Sequence, residues 1–140
     1  IAGGSSDTNA FMQELKELTV GDDRIIFTGF IQGQTLDELY SNAYVYCLPS
    51  DLEGMPLSLL EAMSYGNCCL ASDIAEGTED KALAFKKSDV SDLKDKLQFA
   101  CDYPEEVKKL KAGSAGFICK KYSWDDVVKQ TLKLYQKQMR

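Results

Sequence analysis

The sequence holds 140 residues, 44% of them hydrophobic and 27% charged, with a net charge of -6 and a pI near 4.7. That is enough chain to bury a core as one globular domain, and its acidity is unfavourable for nucleic acid or an anionic membrane surface as a main partner. Histidine is absent, which excludes a Ser-His-Asp or Cys-His catalytic set within this chain and any histidine metal ligand.

The chain opens on "IA" and breaks at "GGSS", a strand-to-loop transition with no basic and apolar leader ahead of it. "TNAFMQELKEL" carries Phe11, Met12, Leu15 and Leu18 at helical spacing, and "DDRIIFTGF" predicts a short apolar strand. "TLDELYSNA" predicts a helix started by a Thr cap with Glu38 three residues later, the capping-box pattern. "YVYCLPS" and "NCCLAS" are apolar enough to be buried strands, and "LAF" predicts a fourth strand in the described order. Three amphipathic helices follow: "VSDLKDKLQFACDY", "PEEVKKLKAGSAGFICKKY" and "SWDDVVKQTLKLYQKQMR". Trp124 and Tyr135, at helical spacing, are expected in the core, and "KKLK" and "CKKY" on solvated faces. Strands alternating with helices predict an α/β fold, a Rossmann-like doubly wound parallel sheet in a single domain with C-terminal helices. No apolar run reaches membrane-spanning length. Cys47, Cys68, Cys69, Cys101 and Cys119 lack C-x-x-C spacing and read as buried free thiols of a reducing cytoplasm.

One stretch stands apart. "SDLEGMPLSLLEAMSYG" places Glu53 and Glu61 on either side of a Gly-x-Pro elbow. Proline suits the first turn of a helix, so the helix is expected to begin near Pro56 and to close at Gly66. Glu53 then lies on the loop, Glu61 about one and a half turns into the helix, and the free amides of the helix N-terminus fall between them. In such sheets ligands sit at the carboxyl ends of strands, where "GGSS", "GFIQGQ" and "PSDLEGMP" lie. Amides of Met55, Leu57 and Ser58 can face an anion, with about 0.3–1 kcal/mol from the helix dipole. The carboxylates would repel that anion but suit vicinal diols, each charge-assisted bond contributing about 1.5–3 kcal/mol. A diol on either side of a phosphate describes a nucleotide sugar.

The run from "FTGF" to "LASD", with its "PS-x-x-EG-x-P-x-x-x-x-EAM-x-x-G" core, resembles the nucleotide-sugar domain of group 1 (family 4) glycosyltransferases of the GT-B fold. Glu53 and Glu61 match the family's E-x7-E motif, and "YSWDDVVKQTLKLY" is similar to its carboxy-terminal helix. The resemblance implies that Glu61 holds the ribose and that Glu53 stands at the donor sugar as the catalytic-site glutamate. It implies donor contacts from the backbone around Gly54, Met55, Leu57 and Ser58, and a base-side border at Gly29, Phe30 and Ile31. It further implies a retaining hexosyltransferase of the polysaccharide-biosynthesis type, cytoplasmic, needing no metal or other cofactor. Its partners would be a nucleotide-diphosphate sugar and an acceptor glycan, lipid or small molecule, and a membrane-peripheral full-length enzyme is left open.

Against that pattern residues 1–140 form the donor domain alone. The preceding strand and loop, which in the family bring the diphosphate-neutralising Arg and Lys, and the acceptor-binding amino-terminal domain are not in this sequence. The stretch 73–82 is short for the family, so Glu76 and Glu79 take no role. Gly3 and Gly4 read as a tight turn or as a phosphate loop. Asp51, Leu52 and Glu53 look like the metal-binding acidic triplet of the other glycosyltransferase fold, but the elbow that follows does not belong to it. A receiver-like signalling module or a catalytically inactive nucleotide-binding piece are the alternatives. A receiver needs an acidic pair after its first strand, where only Asp7 is near.

Overall fold

The computed structural model describes residues 1–4, 9–73 and 81–138. The chain divides into two compact units, Ile1–Leu39 and Tyr40–Arg140. The first contains α1 (Ala10–Leu18) and most of α2 (Gln34–Asn42). The two strands expected here are reduced to one parallel bridge between Ala2 and Gly29, flanked by bonds from Thr28 N to Ile1 O and from Gly3 N to Gly29 O, each 3.0 Å. "IA" supplies too few backbone groups to extend a ladder along "DDRIIFTGF". Helix α2 also starts two residues earlier than a capping box on Thr35 requires. Gly33, at φ +61°, precedes it and accepts from Asp37 N at 3.0 Å, while Glu38 takes the Gln34 amide at 2.9 Å. Thr35 therefore lies inside the helix.

The second unit carries β1 (Val45–Leu48), α3 (Leu57–Ser64), β2 (Cys68–Ser72), β3 (Leu83–Phe85), α4 (Val90–Asp102), α5 (Pro104–Lys121) and α6 (Trp124–Gln138). The strands form a parallel sheet in the order β1-β2-β3, with Val45 beside Cys68 and Leu70 beside Leu83. Every residue of β2 is buried, as a central parallel strand requires. Helices α3 and α5 pack on β2 and on each other, and α4 packs on β3. The α/β architecture with flanking helices is the one expected.

The helices owe their ends to identifiable signals. Asp89 caps α4 by accepting from Asp92 N at 3.0 Å. Pro104 opens α5, with Glu105 and Glu106 in the first turn and Lys120 and Lys121 in the last, matching the helix dipole. Helix α3 ends in a Schellman motif: Gly66 N bonds Met63 O at 2.9 Å, and Asn67 N bonds Ala62 O at 3.2 Å. Gly66 has φ +77°, and a Cβ there would meet only Lys111 O, at 3.8 Å. Conformation rather than space makes it glycine. Gly66→Ala is expected to cost about 1–2 kcal/mol, read as a lowered midpoint in thermal melts with a native spectrum.

The core collects Leu59, Met63, Cys68, Cys69, Leu70 and Val107, all almost wholly buried. Cys68 packs with Ala100 and Val107, and burial pushes the Cys69 thiol up to about 12, with Cys68 beside it acting in the same direction. Cys101 and Cys119 depart from the expectation of buried thiols: both are exposed, on the outer faces of α4 and α5. Trp124 and Tyr135 depart from it too, at 82% and 67% exposed on α6. The apolar stripe of that helix is real, but among the described residues it is left exposed.

Candidate donor site

Strand β1 ends at Leu48 and the chain enters the elbow. The Ser72 hydroxyl, at the end of β2, donates to Ser50 O. The Ser88 hydroxyl donates to Asp51 Oδ1 at 2.8 Å, from a residue held at φ +58° between β3 and α4. The loop start is thus tied to the carboxyl ends of two neighbouring strands. Pro56, buried, stands one position earlier than the first turn, as the N-cap of α3 with φ -73° and ψ 103°. Leu59 N and Leu60 N both bond Pro56 O, at 3.1 and 3.2 Å. The amides of Leu57 and Ser58 precede those first intrahelical bonds and are the helix's open donors. Gly54 and Met55 lie exposed on the loop before them.

Glu53 is half-buried on that loop, and Glu61 is exposed on α3. Apolar neighbours in sequence do not bury Glu61, because they turn to the other side of the helix. Two tyrosines pack at the start of the helix. Tyr40, 7% exposed, directs its hydroxyl between Ser58 O at 3.3 Å and Glu61 Oε2 at 3.4 Å. Its own carbonyl accepts from Asn67 Nδ2 at 2.8 Å, and its ring stacks on Tyr65 with centroids 5.3 Å apart. The Tyr46 hydroxyl donates to Ser58 Oγ at 2.9 Å, and the two rings lie 5.9 Å apart. Burial, with the negative charge of Glu61 adding to it, raises the Tyr40 phenol well above its usual range. Burial likewise raises Tyr46, with Glu53 contributing in the same direction. Both phenols therefore stay protonated donors through neutral pH.

These tyrosines were missed in the sequence. The available signal was a tyrosine inside an apolar strand, whose hydroxyl needs a partner once buried. The arrangement is an acceptor-only carboxylate at each end of a short row of open donors. It can take hydroxyls at its ends and an anion at its middle.

The remaining expected positions fall in the first unit. Gly3 and Gly29 come together there, with Phe30 exposed and Ile31 half-buried beside them. The Gly3 amide is taken by Gly29 O, so Gly3 is not free to cradle a phosphate; Gly4 is exposed. Ser5, Ser6, Asp7, Glu76 and Glu79 lie outside the described residues. Among the described residues no group of three or more His, Cys, Asp or Glu is placed to hold a metal ion, and no helix is long and apolar enough to cross a membrane. A separate open apolar groove of about 340 Å³ runs along α4, lined by Val90, Leu93, Lys94, Leu97, Gln98 and Cys101.

Comparison with known proteins bears on the family and the fold. The family model described as glycosyl transferases group 1 matches residues 1–103. An uncharacterized glycosyltransferase of Methanocaldococcus jannaschii is 25% identical over 97% of this chain, which spans 36% of that protein. The structure of sucrose-phosphate synthase from Thermosynechococcus elongatus superposes with a TM-score of 0.85 at 24% identity, over 99% of this chain and 37% of that one. The Anabaena protein HepE, solved with UDP and glucose, gives 0.85 at 13% identity over 97% of this chain and 39% of its own. With the match covering nearly three quarters of its length, this chain belongs to the group 1 glycosyl transferases.

Proposed function

We propose that this chain is the donor-binding part of a retaining, metal-independent glycosyltransferase that moves a hexose from a nucleotide-diphosphate sugar to an acceptor hydroxyl. One observation carries the reading: Glu53 and Glu61 flank the open amides of Leu57 and Ser58, with the buried Tyr40 bonded to Glu61 and the half-buried Tyr46 bonded to Ser58. Glu61 takes the ribose diol, the α3 amides and Ser58 take phosphate oxygens, and Glu53 faces the donor sugar. The related Anabaena structure with UDP and glucose supports a donor of this chemical class.

Catalysis in the full enzyme consists of holding the anomeric carbon beside the acceptor hydroxyl while the departing diphosphate is stabilised. The chain spans little more than a third of its archaeal relative. Acceptor binding, for a glycan, lipid or small molecule, and most of the diphosphate-neutralising charge are assigned to the rest of the longer enzyme. Residues 1–140 alone bind donor weakly and do not turn it over. Free thiols support a reducing, cytoplasmic compartment, and a nucleotide-sugar donor supports a role in polysaccharide biosynthesis.

A thermal-shift and calorimetric panel of nucleotides and nucleotide sugars tests the reading. At one hundred times its Kd a ligand stabilises the folded state by about 2.7 kcal/mol, a shift of several degrees. The expected result is a shift by one nucleoside diphosphate and its sugar, unchanged by EDTA. A strict magnesium requirement would point to Asp51 and Glu53 as a metal site instead. Labelling by acetyl phosphate with magnesium would identify a receiver.

A further inference from the structure

The bond from the Tyr46 hydroxyl to Ser58 Oγ, 2.9 Å long, joins β1 to the first turn of α3. A serine hydroxyl can accept two bonds and donate one. Once Ser58 Oγ accepts from Tyr46, its own proton remains to be given elsewhere. Ser58 is half-buried at the second position of α3, beside the open amides of Leu57 and of Ser58 itself. The turn therefore presents three donors: two amides and one hydroxyl.

We infer that Tyr46 is a positioning residue for phosphate binding, acting through Ser58. By filling the acceptor side of the Ser58 hydroxyl, it turns that hydroxyl's proton toward an oxygen of a nucleoside diphosphate at the start of α3. The inference rests on the donor-binding reading above. Tyr46 itself touches no ligand. Its phenol, protonated at neutral pH, carries the proton that it gives to Ser58 Oγ. Tyr40, 5.9 Å away, cannot replace it, because its hydroxyl is directed at the Ser58 carbonyl and at Glu61.

The test is a double-mutant cycle on the 140-residue chain, with wild type, Tyr46→Phe, Ser58→Ala and the double variant titrated by NMR. The probes are UDP, GDP and ADP, with the matching nucleosides as phosphate-free controls. Tyr46→Phe should weaken the bound diphosphate roughly two- to tenfold, the range of one neutral hydrogen bond. Ser58→Ala should weaken it at least as much, and the double variant no further than Ser58→Ala. Nucleoside affinity should not move. A Tyr46→Phe loss that adds in full to Ser58→Ala, or that is equally large for the nucleoside, makes Tyr46 merely structural and overturns the inference. So does no loss at all. If Tyr46→Phe melts too early to titrate, Ser58→Ala decides: unchanged diphosphate affinity removes the group through which Tyr46 acts. A wild-type chain that binds none of the three diphosphates overturns the donor-binding reading, and this inference with it.

Discussion

Glu61→Gln is expected to weaken a free nucleoside diphosphate and its nucleotide sugar by about the same factor. The amide keeps the shape of the carboxylate but loses the charge that strengthens bonds from a diol. The loss should be about 1–3 kcal/mol, roughly five- to 150-fold. Exposure of Glu61 argues for the lower half of that range, since water competes for the same oxygens. Glu53→Gln should behave differently. It faces the sugar, so nucleoside diphosphate affinity stays nearly intact while turnover by the full-length enzyme falls. Its contact matters most as the anomeric carbon becomes electron-poor. Calorimetry of both variants against both ligands, with folding checked by circular dichroism, makes the comparison. Equal behaviour toward free nucleotide would remove the division of the elbow into a ribose side and a sugar side.

The second large effect concerns stability. Met63 is fully buried on α3, and its carbonyl accepts from the buried Ser114 hydroxyl of α5 at 2.9 Å. Met63→Ala should cost about 2–5 kcal/mol, lost transfer energy plus the cavity left between α3 and α5. Against a domain stability of about 5–15 kcal/mol that is a large share. Trp124→Ala removes a larger side chain but one that is 82% exposed, so its cost should stay within about 0.5 kcal/mol. Urea titrations with unchanged slope would show the first midpoint falling and the second nearly fixed. A large loss on Trp124→Ala would place that residue in the core after all.

The sequence made the second unit legible because its signals agree. Apolar strands of four or five residues, a proline elbow, a glycine stop and a clean period in α4 all point the same way. The elbow could be found from Glu53, Gly54, Pro56 and Glu61, whose spacing only makes sense across a loop-to-helix junction. Burial was less legible. "LSLLEAM" suggested an acid among apolar neighbours, yet Leu59, Leu60 and Met63 lie one or two positions from Glu61, about 100–200° around the helix, and face the core while it faces out. Trp124 and Tyr135 carry the same lesson: periodicity shows that a stripe exists, not that something covers it. In the first unit, "IIFTGF" has strand composition, but a strand also needs a partner, and Ile1–Gly3 offers only a single bridge. Tyr40 and Tyr46 were hidden because their role depends on contacts 12 to 21 positions away.

The placement of the thiols has a consequence for oxidation. Cys68 and Cys69 are neighbours in β2, so their side chains leave the strand on opposite faces. A bond between them would require the central strand to come apart, and high thiol pKa values keep both poor in thiolate. Peroxide or a disulfide reagent meets Cys101 and Cys119 instead, on helix surfaces remote in sequence from the elbow. Oxidative damage can therefore mark the outside of this domain while its central strand β2 stays reduced.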